Sequence, residues 1–380
     1  MKILADQNIP QVAAAFSDLG EVKLMPGREI GPQHLQDCHC LITRTVTQVD
    51  AALLQGSPVE FVGTATIGTD HIDLDYLADA GIGFSNAAGC NAEAASEYVL
   101  SGLFALSRRK GFDPLQMRAG IVGLGNVGSR LQQKLDALGI DCLVCDPPLQ
   151  QAGQTSQVFV DLDTILRESN LISLHVPLTH SGPHPTFHLL NGARLKSLSE
   201  NCVLINAARG EVIDNRALLQ LLDQRDDLHV FLDTWENEPL VSRELLQRVD
   251  LATPHIAGYS VEGRLRGTQM VLDAACKHFK LAPSWHMSQQ LPATAELYYG
   301  SSGSSLEFWQ NLLQQHCNIW RDHDAFVGGA NLDDDAFAAH FDGLRKVYPD
   351  RLEYERFRIR QVNDKLRGAI LSELGFQLDD

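Results

Sequence analysis

Residues 120–128 read Gly120-Ile121-Val122-Gly123-Leu124-Gly125-Asn126-Val127-Gly128, an apolar run that stops at a glycine and continues as G-x-G-x-x-G. The glycine pattern alone is weak evidence, and its context strengthens it. The run before Gly123 has strand character, and Val127, Leu131, Leu135 and Leu138 follow at the spacing of one helix face. A strand, a tight turn and a helix in that order suit a dinucleotide. Gly123 permits the turn, and Gly125 lets backbone approach a pyrophosphate. Gly128 allows close helix–strand packing, with the helix N-terminus facing the phosphates.

The next strand, residues 142–145, ends in Asp146, 18 residues beyond Gly128. A carboxylate at about 20 residues past the glycines holds the 2′-hydroxyl of an adenosine ribose and repels a 2′-phosphate there. The expected cofactor is therefore NAD rather than NADP. Pro147-Pro148 reads as a rigid loop beside the adenosine.

On both sides of this unit, short β-rich runs alternate with helical ones. Strands at 2–5, 40–44 and 61–63, with a helix at 12–19, precede a long amphipathic helix around 93–109. Strands at 120–122, 142–145, 171–176, 203–206, 230–233 and 251–253 then alternate with helical segments near 127–138, 162–168 and 216–222. Such alternation predicts parallel sheets with helices on both faces. The expected fold class is α/β: a Rossmann-type doubly wound parallel sheet, residues 94–255, inserted in a second, flavodoxin-like α/β domain. That second domain comprises residues 1–93 and 256–282, with a helix at 261–280 returning the chain to it. Residues 283–380 read as a small C-terminal α+β domain. It carries a GSSGSS loop at 300–305, an acidic turn at 333–335, and helical or mixed segments at 308–313, 337–347 and 352–360.

Composition narrows the function classes. The 380 residues are 44% hydrophobic and 21% charged, as in an ordinary globular protein of two or three domains. A formal net charge of −17 argues against nucleic acid or an anionic membrane as partner. No apolar run approaches the roughly 20 residues needed to span a bilayer. Residues 1–6 read as a first strand and not a signal core, so a cytoplasmic location is expected. The eight cysteines lack metal-ligand spacing. Cys142 and Cys145 lie in an apolar run and read as buried reduced thiols, and no metal is expected.

Three further stretches fall at successive strand ends, where ligands collect in open α/β sheets. They are Asn206-Ala207-Ala208-Arg209-Gly210, Asp233-Thr234-Trp235-Glu236-Asn237-Glu238-Pro239 and Thr253-Pro254-His255-Ile256-Ala257-Gly258. A lone Arg, Glu or His at such a place is most often a surface ion-pair or turn residue. In this order and spacing the three resemble the signatures of the D-isomer-specific 2-hydroxyacid dehydrogenase superfamily, which implies Arg209, Glu238 and His255 as catalytic residues. The chemistry suits them. Arg209 offers a permanently charged planar fork for a carboxylate and a developing carbonyl oxygen. His255 is suited to taking a hydroxyl proton near neutral pH. Glu238 would favour the protonated imidazole and orient it. Asp233 resembles the family residue near the nicotinamide. His175 is a competing histidine at a strand end, read as cofactor-side or structural.

Residues 1–8, 44–47, 61–71, 88–91 and 255–260 extend the likeness to the branch of that superfamily that acts in vitamin B6 biosynthesis. That resemblance implies a small phosphorylated 2-hydroxy acid, 4-phospho-D-erythronate, as substrate, and a homodimer formed through the C-terminal domain. It places Thr45, Thr66 and Tyr259 on the substrate. It places Asn126, Val127, Asp146, Asp233, Gly258 and the backbone around Ala207 and Ala208 on NAD. Thr45 stands where the branch usually has Ser, and Val176 where a cofactor position is usually Thr. A phosphate adds about −1.5 to −2 charges, so the site must be locally basic within an acidic chain. Arg44 is the first candidate for the phosphate, with Arg345 or Arg351 of a partner subunit second. A related dehydrogenase acting on 3-phosphoglycerate or on glyoxylate/hydroxypyruvate remains an alternative reading, and a non-enzymatic NAD-sensing scaffold is one of a different class.

Overall fold

The computed structural model describes residues 1–298, 304–360, 362 and 364–379. The chain forms two compact units, Met1–Ala92 with Ser260–Ala293, and Glu93–Tyr259 with Thr294–Asp380. Of the GSSGSS stretch, residues 300–303 lie outside the described residues, and Ser304 caps the helix Ser305–His316.

The first unit holds a parallel sheet of β1 (Lys2–Asp6), β2 (Glu21–Met25), β3 (Cys40–Thr43), β4 (Phe61–Thr64) and β5 (Gly83–Asn86). Their order, β2-β1-β3-β4-β5, is the flavodoxin-like one. Alternate residues serve opposite faces. Ile3, Cys40, Ile42 and Phe61 pack with Leu265, Val271 and Leu272 of the helix Val261–Phe279. Leu4, Leu41 and Val62 pack with Leu35, Leu53 and Leu77.

The second unit is built on β6 (Arg118–Val122), β7 (Asp141–Cys145), β8 (Leu171–Leu174), β9 (Val203–Asn206), β10 (His229–Leu232) and β11 (Leu251–Ala252). All pair in parallel, in the order β7-β6-β8-β9-β10-β11, and the Val160 amide donates to the Val144 carbonyl (2.9 Å) outside β7. Ile121, Leu171, Val203, Ile205 and Phe231 face one side. Val122, Ile172, Leu174, Leu204, Val230 and Leu232 face the other. Both faces are dry, which is why these strands read as unbroken apolar runs in the sequence. Cys142 and Cys145 lie in β7 as free thiols; burial pushes the Cys145 thiol up to about 11.

The C-terminal segment adds a three-stranded sheet, β12 (Ala295–Tyr298), β13 (Phe357–Arg360) and β14 (Gln377–Leu378), parallel throughout. Residues 352–360 contribute only a helical turn at Tyr354–Arg356 before β13. There Phe357 and Ile359 are buried while Arg358 and Arg360 are exposed, the two-residue period of a strand. The segment's side chains complete the core of the second unit on both sheet faces. Phe308, Trp309 and Leu312 join one face, and Phe326, Phe337 and Phe341 join the other. No helix among the described residues is long and apolar enough to cross a membrane.

Candidate active site

Strand register in the second sheet aligns one edge. Val122 pairs with Cys145 and Leu174, Leu174 with Asn206, and Asn206 with Leu232. The residues that follow, Gly123, Asp146, His175, Ala207 and Asp233, therefore emerge at one level. Strand order turns at β6, with β7 on one side and β8 on the other, the switch point where ligands bind in such sheets.

The glycine turn has the shape a dinucleotide requires. A Cβ on Gly128 would sit 2.0 Å from the Gly123 carbonyl oxygen, so only glycine lets the helix Asn126–Ala137 lie this close to β6. A Cβ on Gly125 would meet nothing within 4 Å, which leaves room for a phosphate at the helix N-terminus. Gly125 and Asn126 are exposed, Val127 partly so. Val176 sends its Cγ1 toward Gly123, to 2.9 Å from the place a Cβ would occupy.

Asp146 accepts the Leu124 amide on Oδ2 (2.8 Å) and the Leu149 amide on Oδ1 (2.9 Å), tying the end of β7 to the turn. Pro147 and Pro148 do not form the expected loop. They open the helix Pro147–Ala152, with Asp146 as its cap, because proline suits a first helical turn whose amides have no helical partner. The carboxylate at β7, the open space at Gly125 and the helix N-terminus together fit NAD. His175 is partly exposed as a residue, but its ring nitrogens are shielded, and that desolvation lowers the imidazole to about 4. Its Nε2 meets Ser173 Oγ at 2.8 Å, and its Nδ1 has no partner among the described residues.

Asn206, fully buried, shapes the next strand end. Its Nδ2 donates to the Arg209 carbonyl (2.8 Å), and its Oδ1 accepts the Ala208 amide (3.1 Å). These bonds fix the turn that carries Ala207, Ala208 and Arg209, and Arg209 Nη1 donates to the Ala208 carbonyl (2.8 Å). A Cβ on Gly210 would fall 1.9 Å from the carbonyl carbon of Trp235, so the Arg209 strand end lies directly on the loop that carries Glu238. In that loop the Trp235 amide donates to Glu238 Oε1 (2.9 Å), leaving Oε2 to meet His255 Nδ1 at 2.7 Å. Burial opposes ionisation of Glu238. The His255 charge and hydrogen bond, the Trp235 amide and Arg345 nonetheless bring its carboxyl below the ordinary glutamate range. Nδ1 of His255 is thus engaged by Glu238, and Nε2 is the ring nitrogen that Glu238 does not hold.

His255 has a left-handed backbone (φ 55°), and the surrounding residues hold the loop in that shape. Its amide donates to the Asp233 carbonyl (2.7 Å). The Asp233 carboxylate accepts the amides of Ile256 and Ala257 (2.9 Å each) and the Thr253 hydroxyl (2.6 Å). Burial pushes the Asp233 carboxyl up, against the His255 charge and these hydrogen bonds. Arg351 Nε donates to the Tyr259 carbonyl (2.8 Å) and Nη2 to the Ala257 carbonyl. Arg351 is 7% exposed and stacks on Tyr98 at 4.5 Å, so its charge is spent inside its own chain and is not available to a partner's substrate. Gly258 lies in the turn between these anchors, where the Tyr259 amide donates to the Ile256 carbonyl (2.9 Å). Asp233, Arg351 and Gly210 were read from the sequence, but the clamping roles of the first two and the close packing of Gly210 on the Trp235 backbone were not. Only the N-A-A-R-G run itself pointed to Asn206.

The remaining expected substrate residues belong to the first unit. Arg44 Nε is ion-paired with the fully buried Asp6 (2.9 Å), and its terminal nitrogens make no hydrogen bond among the described residues. Thr45, just beyond, is exposed. Thr66 shares a hydrogen bond with Thr64 (2.8 Å), which also meets His71 Nε2 (3.1 Å). No group of acidic, histidine or cysteine side chains among the described residues could hold a metal ion.

Residues 87–257 match the D-isomer specific 2-hydroxyacid dehydrogenase, NAD binding domain. An erythronate-4-phosphate dehydrogenase from Azotobacter vinelandii is 46% identical over 362 residues, covering 95% of each chain. One from Chromohalobacter salexigens is 43% identical over 382 residues, covering 100% of this chain and 99% of the relative. The chain belongs to the erythronate-4-phosphate dehydrogenase family. Its glycine turn and Asp146 therefore sit in an NAD-binding domain. Among solved structures, the NAD+-bound 3-phosphoglycerate dehydrogenase of Entamoeba histolytica has the same fold. It has a TM-score of 0.63 and 24% identity, over 74% of this chain and 95% of that one.

Proposed function

We propose that the chain oxidises 4-phospho-D-erythronate at C2 to 3-hydroxy-2-oxo-4-phosphooxybutanoate, with NAD as acceptor, in pyridoxal 5′-phosphate biosynthesis. The observation that carries this reading is the 2.7 Å pair of His255 Nδ1 and Glu238 Oε2, held against the Arg209 strand end on the edge that bears the NAD turn. The family relationship over the full chain supplies the substrate.

His255 Nε2 takes the proton of the C2 hydroxyl as the carbonyl forms. Glu238, held ionised, stabilises the imidazolium and fixes the ring so that Nε2 faces the substrate. Arg209 grips the C1 carboxylate and draws on the oxygen that becomes the carbonyl. NAD, when bound, supplies the acceptor for the hydride leaving C2. One hydride and one proton depart together, leaving the 2-oxo acid. Gly123, Gly125, Asn126, Val127, Gly128, Asp146, Val176, Ala207, Ala208, Asp233 and Gly258 are the proposed cofactor contacts. Arg44, Thr45, Thr66 and Tyr259 are the proposed substrate contacts. A homodimer in the cytoplasm is the proposed working form.

The test is NADH formation with 4-phospho-D-erythronate, 3-phosphoglycerate and small 2-hydroxy acids, with and without a 2-oxo acid acceptor. Preferred turnover of the first is expected, and its loss in His255→Asn and Arg209→Met. Preference for another acid would refute the substrate, and inactivity on all of them would favour a scaffold.

A further inference from the structure

The substrate proposed above carries two anionic ends, and Arg209 serves only one. The chain as a whole bears −17, so its long-range field opposes a phosphorylated acid, and recognition must come from a cation at the site. In the second unit several arginines are already committed. Arg351 holds the backbone of residues 257–259. Arg243 pairs with Asp334 (2.9 Å), and Arg321 with Asp322 (2.7 Å).

Arg345 differs from these in making no hydrogen bond or ion pair among the described residues, whereas Arg351 leaves only its Nη1 without an acceptor. It lies in the last turn of the helix Asp334–Lys346, partly buried, between two aromatic rings: its guanidinium carbon is 5.5 Å from the Phe341 centroid and 5.8 Å from that of Tyr259. Among the described residues no carboxylate lies within 4 Å of it, and its Nε is shielded from water without a hydrogen-bond acceptor. A shielded, unpaired guanidinium nitrogen is costly, and a ligand oxygen is what would satisfy it. Tyr259, against which it stacks, follows His255 by four residues, and its hydroxyl makes no hydrogen bond among the described residues. The Arg345 charge is also near enough to the catalytic pair to act on the Glu238 carboxyl.

We propose that Arg345, acting on the active site of its own chain, forms with the Tyr259 hydroxyl a subsite for the terminal phosphate of the substrate. The proposal rests on the phosphorylated hydroxy acid proposed in the preceding section. It replaces the expectation that such an arginine comes from a partner subunit. The guanidinium fork matches phosphate oxygens bidentately, and the two rings hold it at little entropic cost.

The experiment compares the full-length wild type, Arg345→Met and Arg345→Lys on 4-phospho-D-erythronate and on unphosphorylated D-erythronate, with NAD affinity and thermal melting measured in parallel. For Arg345→Met, KM for the phosphorylated acid rises about 10- to 100-fold, the loss of a charge-assisted bidentate contact. Efficiency on D-erythronate falls by much less, through the weaker field on Glu238 alone, and the Kd for NAD stays at the wild-type value. Arg345→Lys recovers part of the loss, since it keeps the charge without the fork. An unchanged KM, or equal loss on both acids in a protein that melts normally, overturns the subsite. A wild type inactive on 4-phospho-D-erythronate refutes the proposed function instead. Titration of inorganic phosphate into the NAD-loaded protein then decides the subsite alone: binding lost in Arg345→Met supports it, and equal or absent binding overturns it.

Discussion

Replacing Arg351 by Met tests whether the C-terminal segment builds the catalytic loop. The wild-type side chain makes two hydrogen bonds to loop carbonyls, at Tyr259 (2.8 Å) and Ala257, and stacks on Tyr98 at 4.5 Å. Each bond from a charged donor contributes about 1.5–3 kcal/mol, and a desolvated cation–π contact about 2 kcal/mol. Removing a charge that is 7% exposed returns several kcal/mol of desolvation, so the net loss of stability is about 2–4 kcal/mol. The functional effect is the sharper one. A loop freed to shift by about 1 Å moves His255 off its aim, and misplacement on that scale costs on the order of 100-fold in rate. Urea unfolding gives the stability term; kcat and the Kd for NAD, measured where the variant is fully folded, give the rest. The expected result is a kcat lowered about 10- to 100-fold with NAD affinity nearly unchanged, because the glycine turn and Asp146 stand on other strands. Arg351→Lys, able to reach one carbonyl, falls between. A folded Arg351→Met enzyme with full kcat would refute the reasoning, since the loop would then hold His255 without the clamp.

Other outcomes follow from the same geometry. Asp146→Ser should let NADP compete with NAD by removing the carboxylate at the end of β7, and an unchanged NAD/NADP ratio in kinetics would sink that assignment. Gly210→Ala places a Cβ about 1.9 Å from the Trp235 backbone, so it should cost about 1–3 kcal/mol by denaturation and lower kcat by parting Arg209 from Glu238; a neutral result on both would be incompatible with this packing. Burial lowers His175 to about 4, so between pH ~6.5 and ~4 the unfolded chain binds a proton that the folded one does not. Stability contributed by the neutral ring is thus present above pH ~6.5 and falls with pH by up to about 1.4 kcal/mol per unit. His175→Phe should remove about one proton from the pH dependence of urea unfolding, and an identical slope would contradict the buried, neutral imidazole.

Much of this architecture was legible because its strands are buried on both faces. Runs such as Val203–Asn206 and Leu171–Leu174 send alternate residues to two dry sides, so they read as apolar throughout, and the helices between them force parallel pairing. The placement of the candidate site residues was legible where a residue type stood at a strand end: the glycine turn after β6, a carboxylate after β7, and the stretches carrying Arg209, Glu238 and His255. What escaped acts across long chain separations. Arg351 and the Tyr259 carbonyl are 92 residues apart, and nothing in either local sequence announces the contact. Charge was also misleading. Arg345 and Arg351 look equivalent as letters, both suited to a partner's anion. Packing spends one on backbone carbonyls and leaves the other between two rings with no ion pair to a carboxylate among the described residues. Residues 352–360 were ambiguous for a different reason, since a helical turn runs directly into a strand within nine residues.

The loop that carries His255 is held by two side chains of opposite charge, which gives Asp233 a role besides its proposed cofactor contact. Its carboxylate accepts two loop amides and the Thr253 hydroxyl, while Arg351 donates to the loop carbonyls of Ala257 and Tyr259. Backbone amides and carbonyls in a buried turn must find partners, and here both partners are charged side chains. A left-handed residue such as His255 costs about 1–3 kcal/mol and persists only where its surroundings over-determine it. The Asp233 carbonyl and carboxylate, the Glu238 contact and Arg351 supply that over-determination. Asp233 therefore lies on the proposed cofactor edge and also fixes the proposed base, so Asp233→Asn should lower kcat even at saturating NAD. Neutral asparagine keeps an acceptor but presents an amide group to one of the two loop amides, and leaves a donor facing a donor. Thr253→Val removes only the hydroxyl bond to the same carboxylate and serves as the milder control. A kcat restored in Asp233→Asn by raising NAD alone would confine Asp233 to cofactor binding and leave the loop to Arg351.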